Sequence, residues 1–527
     1  MSLFVKFIGV GGATSASRVL GFVREATIAA VLGAGPVADA FYAALRFPNL
    51  FRRLFAEGAF NAAFVPIFAK EVEINGNQSA AKFAGEVFSI LVLVLGILSV
   101  FALIFMPFLA GTVIAPAFQD TPEKFDLTVL LARIMFPYLA AMSLVAMLTG
   151  VLNSFRKYFL AALAPVLLNI VLISVLFAAI RFDLPDKDVG IALAVGVVFS
   201  GLLQLGLLVF GLVRAGFRFV PRPPRLTPQI SRLLKLAAPA ALTGGIVQIN
   251  LVVGQIIASQ QDGAIALLNY ADRIYQLPLG VIGIAIGVVL LPELARALGA
   301  NEQKTALSLQ NRSLEFGLGL TLPAAVALAL APVPFVAVIY ERGAFSHETT
   351  LATAHALAAF AIGLPSFVMI KVLQPGFFAR EDMRTPMWFS LVSLVVNAAG
   401  SLLMFPVIGH VGIAAATSLA GWANALLLGV TLWHRDHFRP APETLRRAGL
   451  TVVCSIVMGA FLYGAWIAIE DAFIASGILM RVLFAAGLVA ACVAIYFGLA
   501  IATGAVDRSM LIRSLKRGGK ASPAKET

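Results

Sequence analysis

The sequence predicts an all-α polytopic membrane protein of about fourteen transmembrane helices. They should form two parallel six-helix lobes followed by two further helices. Three observations carry this expectation. Apolar runs of about 20 residues recur along all 527 residues; that length crosses a hydrocarbon core as a helix, whereas a membrane β-barrel would show alternating segments of about ten. Only 13% of residues are charged and 60% are hydrophobic, against about a quarter charged in a soluble chain. The charge that is present collects in alternate connecting segments.

The spans fall at roughly 5–33, 38–69, 84–111, 127–150, 158–180, 189–213, 233–259, 264–294, 313–339, 350–378, 386–406, 410–433, 448–469 and 478–503. The first apolar run leads straight into charged sequence, so no cleavable signal peptide is expected. One set of connectors (70–82, 156–157, 214–235, 296–312, 380–384, 435–447 and the tail 508–525) holds 25 Lys and Arg. The other set holds only Lys124, Arg181, Lys187 and Arg342 as cations, and its acids include Asp120, Glu123, Asp126, Asp183, Asp186, Asp188 and Asp262. The positive-inside rule therefore puts both termini in the cytoplasm. It also absorbs the net charge of +12, leaving no reason to expect nucleic acid as a partner; anionic phospholipid is the expected contact. Cys454 and Cys492 both lie inside apolar spans, so neither a disulfide framework nor a metal-ligand spacing is visible.

The chain repeats itself. Pro137 matches Pro365, Arg156 matches Arg384 and Asn169 matches Asn397, all at an offset of 228 residues. "GAGPVADAFYAALRF" near Gly35 resembles "QDGAIALLNYADRI" near Gly263, and "FVPIFAK" resembles "LLPELAR". Six spans per half is an even number, so the repeats are parallel, and a site is expected at the interface of the halves. The expected organisation is a first lobe over 1–217, a basic Pro-rich linker over 218–232, a second lobe over 233–440, two extra helices over 441–505 and a basic tail over 506–527.

Charge inside the spans carries the functional reading. Arg18 lies about a dozen residues into the first span, near the bilayer centre, and Arg52 and Arg53 fall near the middle of the second. A mid-membrane arginine costs about 2.5–3.5 kcal/mol on insertion scales. Snorkelling accounts for Lys6, Arg133, Lys371 and Arg481 near helix ends, but poorly for these three. On a helical wheel Asp39, Arg46, Arg53 and Glu57 share a stripe, with Asn49 beside it; Thr14, Arg18 and Glu25 share another; Asn269, Asp272, Arg273 and Gln276 share a third. Such faces turn toward a protein interior or a watery cavity. A purely structural alternative is a set of buried ion pairs: Arg18–Glu25, Arg46–Asp39 and Arg53–Glu57. Against it, Arg18, Arg24, Arg46, Arg52, Arg53 and Arg273 outnumber Glu25, Asp39, Glu57 and Asp272. That surplus favours an anionic ligand, and arginine forks suit phosphate oxygens.

The sequence shows no P-loop, no HExxH, no nucleophile elbow and no Asp-rich metal–diphosphate motif, and its loops leave no room for a catalytic domain. A carrier is expected rather than an enzyme, with no cofactor and no metal.

Residues 17–68, "SRVLGFVREATIAAVLGAGPVADAFYAALRFPNLFRRLFAEGAFNAAFVPIF", resemble the N-terminal signature of the MviN/MurJ family of lipid II flippases. "ERGAF" (341–345) and "NYADRIYQLPLGVIGIAIGVVLLPEL" (269–294) are similar to that family too. The resemblance extends over essentially the whole chain. It implies a fold like the multidrug/oligosaccharidyl-lipid/polysaccharide exporters and residence in the bacterial inner membrane. It implies outward transport of lipid II, an undecaprenyl-diphosphate-linked peptidoglycan precursor, for cell wall synthesis. It implies peptidoglycan synthesis enzymes as further partners. Carried onto this chain, the family's cationic cavity corresponds to Arg18, Arg24, Asp39, Arg52, Arg53 and Arg273, and the last two helices to a groove for the polyprenyl tail. One departure concerns coupling: where some relatives bind a cation with carboxylates, the eleventh and twelfth spans here offer Asn397, Ser401 and Thr417. The alternatives are an exporter of another polyprenyl-linked oligosaccharide or of amphipathic drugs, a membrane glycosyl- or prenyl-transferase, and a non-transporting scaffold. Glu25 and Asp39 are expected to pair with cavity arginines when substrate is absent.

Overall fold

The computed structural model describes residues 3–53 and 60–506, and the described residues form helices with no strand. Glu57 and the basic tail lie outside the described residues. In chain order the helices are α1 (Leu3–Leu32), α2 (Pro36–Phe51), α3 (Phe60–Leu109), α4 (Pro122–Met135), α5 (Tyr138–Ser154), α6 (Tyr158–Arg181), α7 (Asp186–Arg214), α8 (Pro228–Ala258), α9 (Ala264–Gly299), α10 (Gln303–Leu330), α11 (Pro332–Tyr340), α12 (His347–Phe378), α13 (Arg384–Ile408), α14 (His410–His434), α15 (Pro442–Ile474) and α16 (Ile478–Thr503). Ten helical segments are long and apolar enough to cross a membrane among the described residues. They establish a polytopic membrane protein but not the count of fourteen. α1, α2, α8 and α9 are not among the ten, and α1, α2 and α9 carry the candidate site residues.

Helix boundaries depart from the sequence reading where backbone chemistry intervenes. The expected connector over 70–82 is helical: α3 runs through it with a single break at Gly76, whose φ of 76° and ψ of 176° suit glycine alone. The fourth span is broken at Phe136–Pro137 into α4 and α5, and the ninth at Ala331–Pro332 into α10 and α11. In each case a proline cannot donate to the preceding turn. Arg481, expected to snorkel, instead caps its own hairpin: its guanidinium donates to the carbonyls of Phe473 at 3.1 Å, Ile474 at 2.8 Å and Ser476 at 3.0 Å. These carbonyls lie at and just past the end of α15, where the helix no longer supplies its regular donors.

The chain divides into two compact units, residues 1–270 with 340–349, and residues 271–339 with 350–527. In the first, α1 packs on α6, α6 on α7, α3 on α5 and α8, α2 on α4, and α5 on α7. Its core near one end is a run of stacked phenylalanines, with Phe64 centred 5.1 Å from Phe60, 5.5 Å from Phe68 and 5.8 Å from Phe83. In the second unit α13 packs on α14, α10 on α15, and α15 on α16. Lipid gives helices no hydrophobic reason to associate, so close contact relies on small residues. At Gly400 on α13 an added Cβ would lie 3.0 Å from the Ala416 methyl of α14.

Candidate functional site

Two buried polar clusters organise the charged helices of the first unit. The first centres on Glu25, buried on α1. Its carboxylate accepts from the Arg24 guanidinium at 2.5 Å, from the Tyr42 hydroxyl of α2 at 2.7 Å and from the Asn269 amide at 3.4 Å. Arg24 also donates to Asn169 Oδ1 of α6 at 2.9 Å, and Asn169 Nδ2 donates to the Ser17 carbonyl of α1 at 2.9 Å. Asn169 thus ties the Ser17 backbone of α1 to the Arg24 side chain about two turns further along. Burying a carboxylate is costly unless it is paired and hydrogen-bonded, and these donors meet that need. Arg24 Nε is buried with no partner among the described residues.

The second cluster centres on Asp39 in the first turn of α2, fully buried. Lys124 of α4 donates to it at 2.8 Å, and so do the main-chain amides of Gly263 at 2.7 Å and Ala266 at 2.9 Å. Asp39 therefore caps α9 in trans: its negative charge meets the exposed amides and positive dipole end of that helix. Lys124 makes a second ion pair with Asp262 at 2.9 Å and lies 4.1 Å from the centre of the Phe118 ring.

A backbone seam adjoins this cluster. Gly33, between α1 and α2, has φ of 58°, and an added Cβ would lie 2.6 Å from the Ala344 carbonyl oxygen. Gly343 has φ of 58°, and its Cβ would lie 2.2 Å from the Ala30 carbonyl oxygen. Only glycine satisfies both the left-handed backbone and the close approach. The Ala344 amide donates to the Ala30 carbonyl at 2.8 Å, and the Tyr270 hydroxyl donates to the Gly33 carbonyl at 2.7 Å. Tyr270 packs on Tyr42 at 5.6 Å and on Tyr340 at 5.1 Å between ring centres.

The expected site residues are distributed as follows. Arg24, Glu25 and, through Lys124, Asp39 are knitted into the clusters. Two of the ion pairs of the purely structural alternative do not form as written: Glu25 pairs with its neighbour Arg24 and not Arg18, and Asp39 with Lys124 and not Arg46. Asp39 thus meets a lysine, not a cavity arginine. The third pair, Arg53–Glu57, falls on a residue outside the described ones. Arg18 is exposed and makes no ion pair or hydrogen bond among the described residues. Arg46 is half-buried on α2. Arg52 and Arg53 follow α2 in a π-turn, and Arg52 Nε donates to Asn49 Oδ1 at 3.1 Å. The second unit holds Asp272, which accepts from Gln276, and Arg273, which is exposed. Lys124, Tyr42 and Tyr270 escaped the sequence reading. The one available signal was a lone lysine in an otherwise acidic connector, "DTPEKFD".

Two features of the second unit complete the picture. An apolar cavity of about 420 Å³ is lined by Leu277, Leu320, Phe335, Leu462, Val493 and Tyr496, so α15 and α16 form part of its wall. Asn397 Oδ1 accepts from Ser401 at 3.4 Å and from Thr417 at 3.4 Å. No group of three His, Cys, Asp or Glu able to hold a metal occurs among the described residues.

Comparison with known proteins agrees along the whole chain. The family model described as lipid II flippase MurJ matches residues 28–484. A protein of Rhizobium tropici named probable lipid II flippase MurJ is 52% identical over 98% of this chain and 97% of its own. The lipid II flippase MurJ of Burkholderia cenocepacia is 35% identical over 95% of this chain and 97% of its own. A solved structure described as lipid II flippase MurJ, inward closed conformation, superposes with a TM-score of 0.76 at 24% identity, covering 96% of this chain and 99% of that one. An inward-facing multidrug resistance MATE transporter of the MOP superfamily gives 0.64 at 16% identity, covering 80% of this chain and 94% of that one. The fold is therefore that of the MurJ and MATE transporters, and the chain belongs to the lipid II flippase MurJ family.

Proposed function

We propose that this protein carries lipid II from the cytoplasmic to the periplasmic leaflet of the inner membrane by alternating access, as a carrier and not a catalyst. The observation that carries the reading is Arg18. It is the sixteenth residue of the 30-residue α1, roughly 22 Å along the helix at 1.5 Å per residue. It is exposed there, without a partner among the described residues. A guanidinium at that depth requires water or an anion. α1 and α2 together hold Lys6, Arg18, Arg24 and Arg46 but only Glu25 and Asp39 as acids, and Lys124 is added to Asp39. The excess charge suits a diphosphate, while the polyprenyl tail stays in lipid and uses the apolar cavity walled by α15 and α16.

In this reading Arg18, Arg24, Arg52, Arg53 and Arg273 converge on the headgroup as two lobes rock about it. Arg46, Asn49, Glu57 and Asp272 shape the cavity. The Asp39–Lys124 latch and the glycine seam hold the periplasmic end shut, and Glu25 keeps Arg24 in place until substrate arrives. Both termini lie in the cytoplasm. Resetting draws on the membrane potential, at about 2.3 kcal/mol per charge moved through 100 mV; the Asn397, Ser401 and Thr417 side chains supply no carboxylate for a sodium site.

The test replaces Arg18 by Ala in cells depleted of the native protein and detects lipid II by leaflet. The variant should insert normally and leave lipid II in the inner leaflet, and Arg18→Lys should rescue in part, because a point charge lacks the bidentate fork. Normal outward transport by Arg18→Ala overturns the assignment.

A further inference from the structure

A second cavity, of about 600 Å³, lies wholly within the first unit, where the start of α1 meets the α5–α6 turn and the end of α7. Arg156, Lys157 and Arg214 border it, and Val10, Phe159 and Phe210 belong to its apolar wall. None of the three cations makes an ion pair or hydrogen bond through its side chain among the described residues, and all of the charge at the cavity is positive. Phe159 and Phe210 remain more than half exposed, at 51% and 56%, so the wall opens toward the surroundings of the helices and not into the core.

Arg156 is held at a backbone cost. The amide of Arg156 bonds to the Asn153 carbonyl and that of Lys157 to the Leu152 carbonyl, both at 2.9 Å, closing α5 in a Schellman-type turn. The residue in the left-handed position of such a turn is usually glycine. Here it is Arg156, with φ of 57°, at a cost of roughly 1–2 kcal/mol for a side chain there. Strain of this kind, at a residue whose side chain makes no described bond, points to a use for the charge outside the chain.

We propose that this cavity is a binding site for an anionic phospholipid of the cytoplasmic leaflet. The phosphate would meet Arg156, Lys157 and Arg214, and the upper acyl chains would lie along Val10, Phe159 and Phe210. The placement rests on the positive-inside orientation given above. Cations over an apolar, aromatic wall at the basic end of membrane helices match an anionic headgroup and its chains. Apart from the Tyr158 hydroxyl and the three cations the lining offers no polar side chain, and no acid, which suits a phosphate and acyl chains better than the many hydroxyls and amides of the transported headgroup. A bound lipid would join the first turns of α1, which bears Arg18 and Arg24, to α6 and α7.

The experiment uses the full chain in nanodiscs of phosphatidylcholine and measures its association with spin-labelled phosphatidylglycerol against spin-labelled phosphatidylcholine. Wild type should prefer the anionic probe. The variant Arg156→Gly/Lys157→Gln/Arg214→Gln should lose that preference by about tenfold. Arg156→Gly alone should lower it while leaving the thermal transition equal or higher, since glycine relieves the backbone strain. Unchanged preference in the triple variant overturns the proposal. So does loss of the preference on adding millimolar inorganic phosphate, which would mark a site for a soluble anion, or displacement of the probe by equimolar lipid II, which would mark a substrate site. Lipid association is read without flipping, so its outcome stands apart from that of Arg18→Ala.

Discussion

Asp39→Asn isolates the charge that holds α2, α4 and α9 together. Asparagine keeps the shape and one acceptor, but it turns an N–H either toward the Lys124 ammonium and the Gly263 amide, which both donate to Oδ2 at 2.8 and 2.7 Å, or toward the Ala266 amide, which donates to Oδ1 at 2.9 Å. Lys124, almost fully buried, keeps only Asp262, a carboxylate in water. Breaking a buried pair from one side costs about 3–5 kcal/mol, much of it the uncompensated charge. At the lower end, and at about 1.4 kcal/mol per factor of ten, local opening should become about 10²-fold more frequent. Hydrogen exchange read by mass spectrometry sees this directly, because the Gly263, Ala266 and Ala344 amides are donors in the closed arrangement. Segments 259–270 and 340–349 should exchange about 10²-fold faster, while α14 in the second unit stays unchanged. Asp39→Asn/Lys124→Met, which removes both charges, should recover much of the protection. Wild-type exchange in both segments of Asp39→Asn would refute the reasoning, and no recovery in the double variant would refute the charge account of it.

Gly343→Ala tests the seam separately: a Cβ at φ of 58° and 2.2 Å from the Ala30 oxygen should raise exchange over 340–349 by at least about tenfold, with exchange over 259–270 moving less. Asp382, in the connector before α13, accepts from the Thr385 hydroxyl at 2.7 Å, from the Thr385 amide at 3.0 Å and from Arg435 at 2.7 Å. These bonds, the Thr385 hydroxyl first, hold its carboxyl down at about 2. Its contribution is present above the ordinary value near 4 and is lost as pH falls through about 2. Asp382→Ala should cost about 1 kcal/mol at neutral pH, as for a lost helix cap. Thermal unfolding followed from pH 5 to 2 should show the difference from wild type shrinking toward the acid end.

Much of the fold is written in apolar periodicity, because lipid forces every spanning backbone to satisfy itself within a helix. α16 spans Ile478–Thr503, where the sequence reading placed its last span. The deviations occur where one residue decides the backbone: Gly76 lets α3 continue through an expected loop, and Pro137 and Pro332 break helices that hydropathy treats as whole. The same holds for the site. Depth and helical spacing alone single out Arg18, Glu25 and Asp39 as charges with no reason to face lipid, whereas Arg24 enters through the surplus of arginines and the family resemblance. Their partners are another matter. Lys124 is 85 residues from Asp39 and Asn169 is 145 from Arg24, and no local pattern encodes which cation a buried carboxylate takes. The glycine seam was equally hidden: Gly33 and Gly343 read as ordinary turn residues until their neighbours' carbonyls are placed beside them.

Lys124 divides its charge between two very different carboxylates: the Asp39 side chain is 0% exposed and that of Asp262 is 90% exposed. Dissolved ions reach the second and not the first. At 0.15 M ionic strength screening acts over about 8 Å in water, whereas a buried pair is screened far less. The outer contact therefore responds to the ionic composition of the medium, and the inner one carries the hold whatever that composition is. Water and counterions loosen Asp262 first, which leaves Lys124 tethered by Asp39 alone before the inner pair has to part. Separation thus begins at a contact worth no more than about 1 kcal/mol and ends at the expensive one. The hold of Asp39 on Lys124 and on the amides of Gly263 and Ala266 is thus set apart from the salt around the protein.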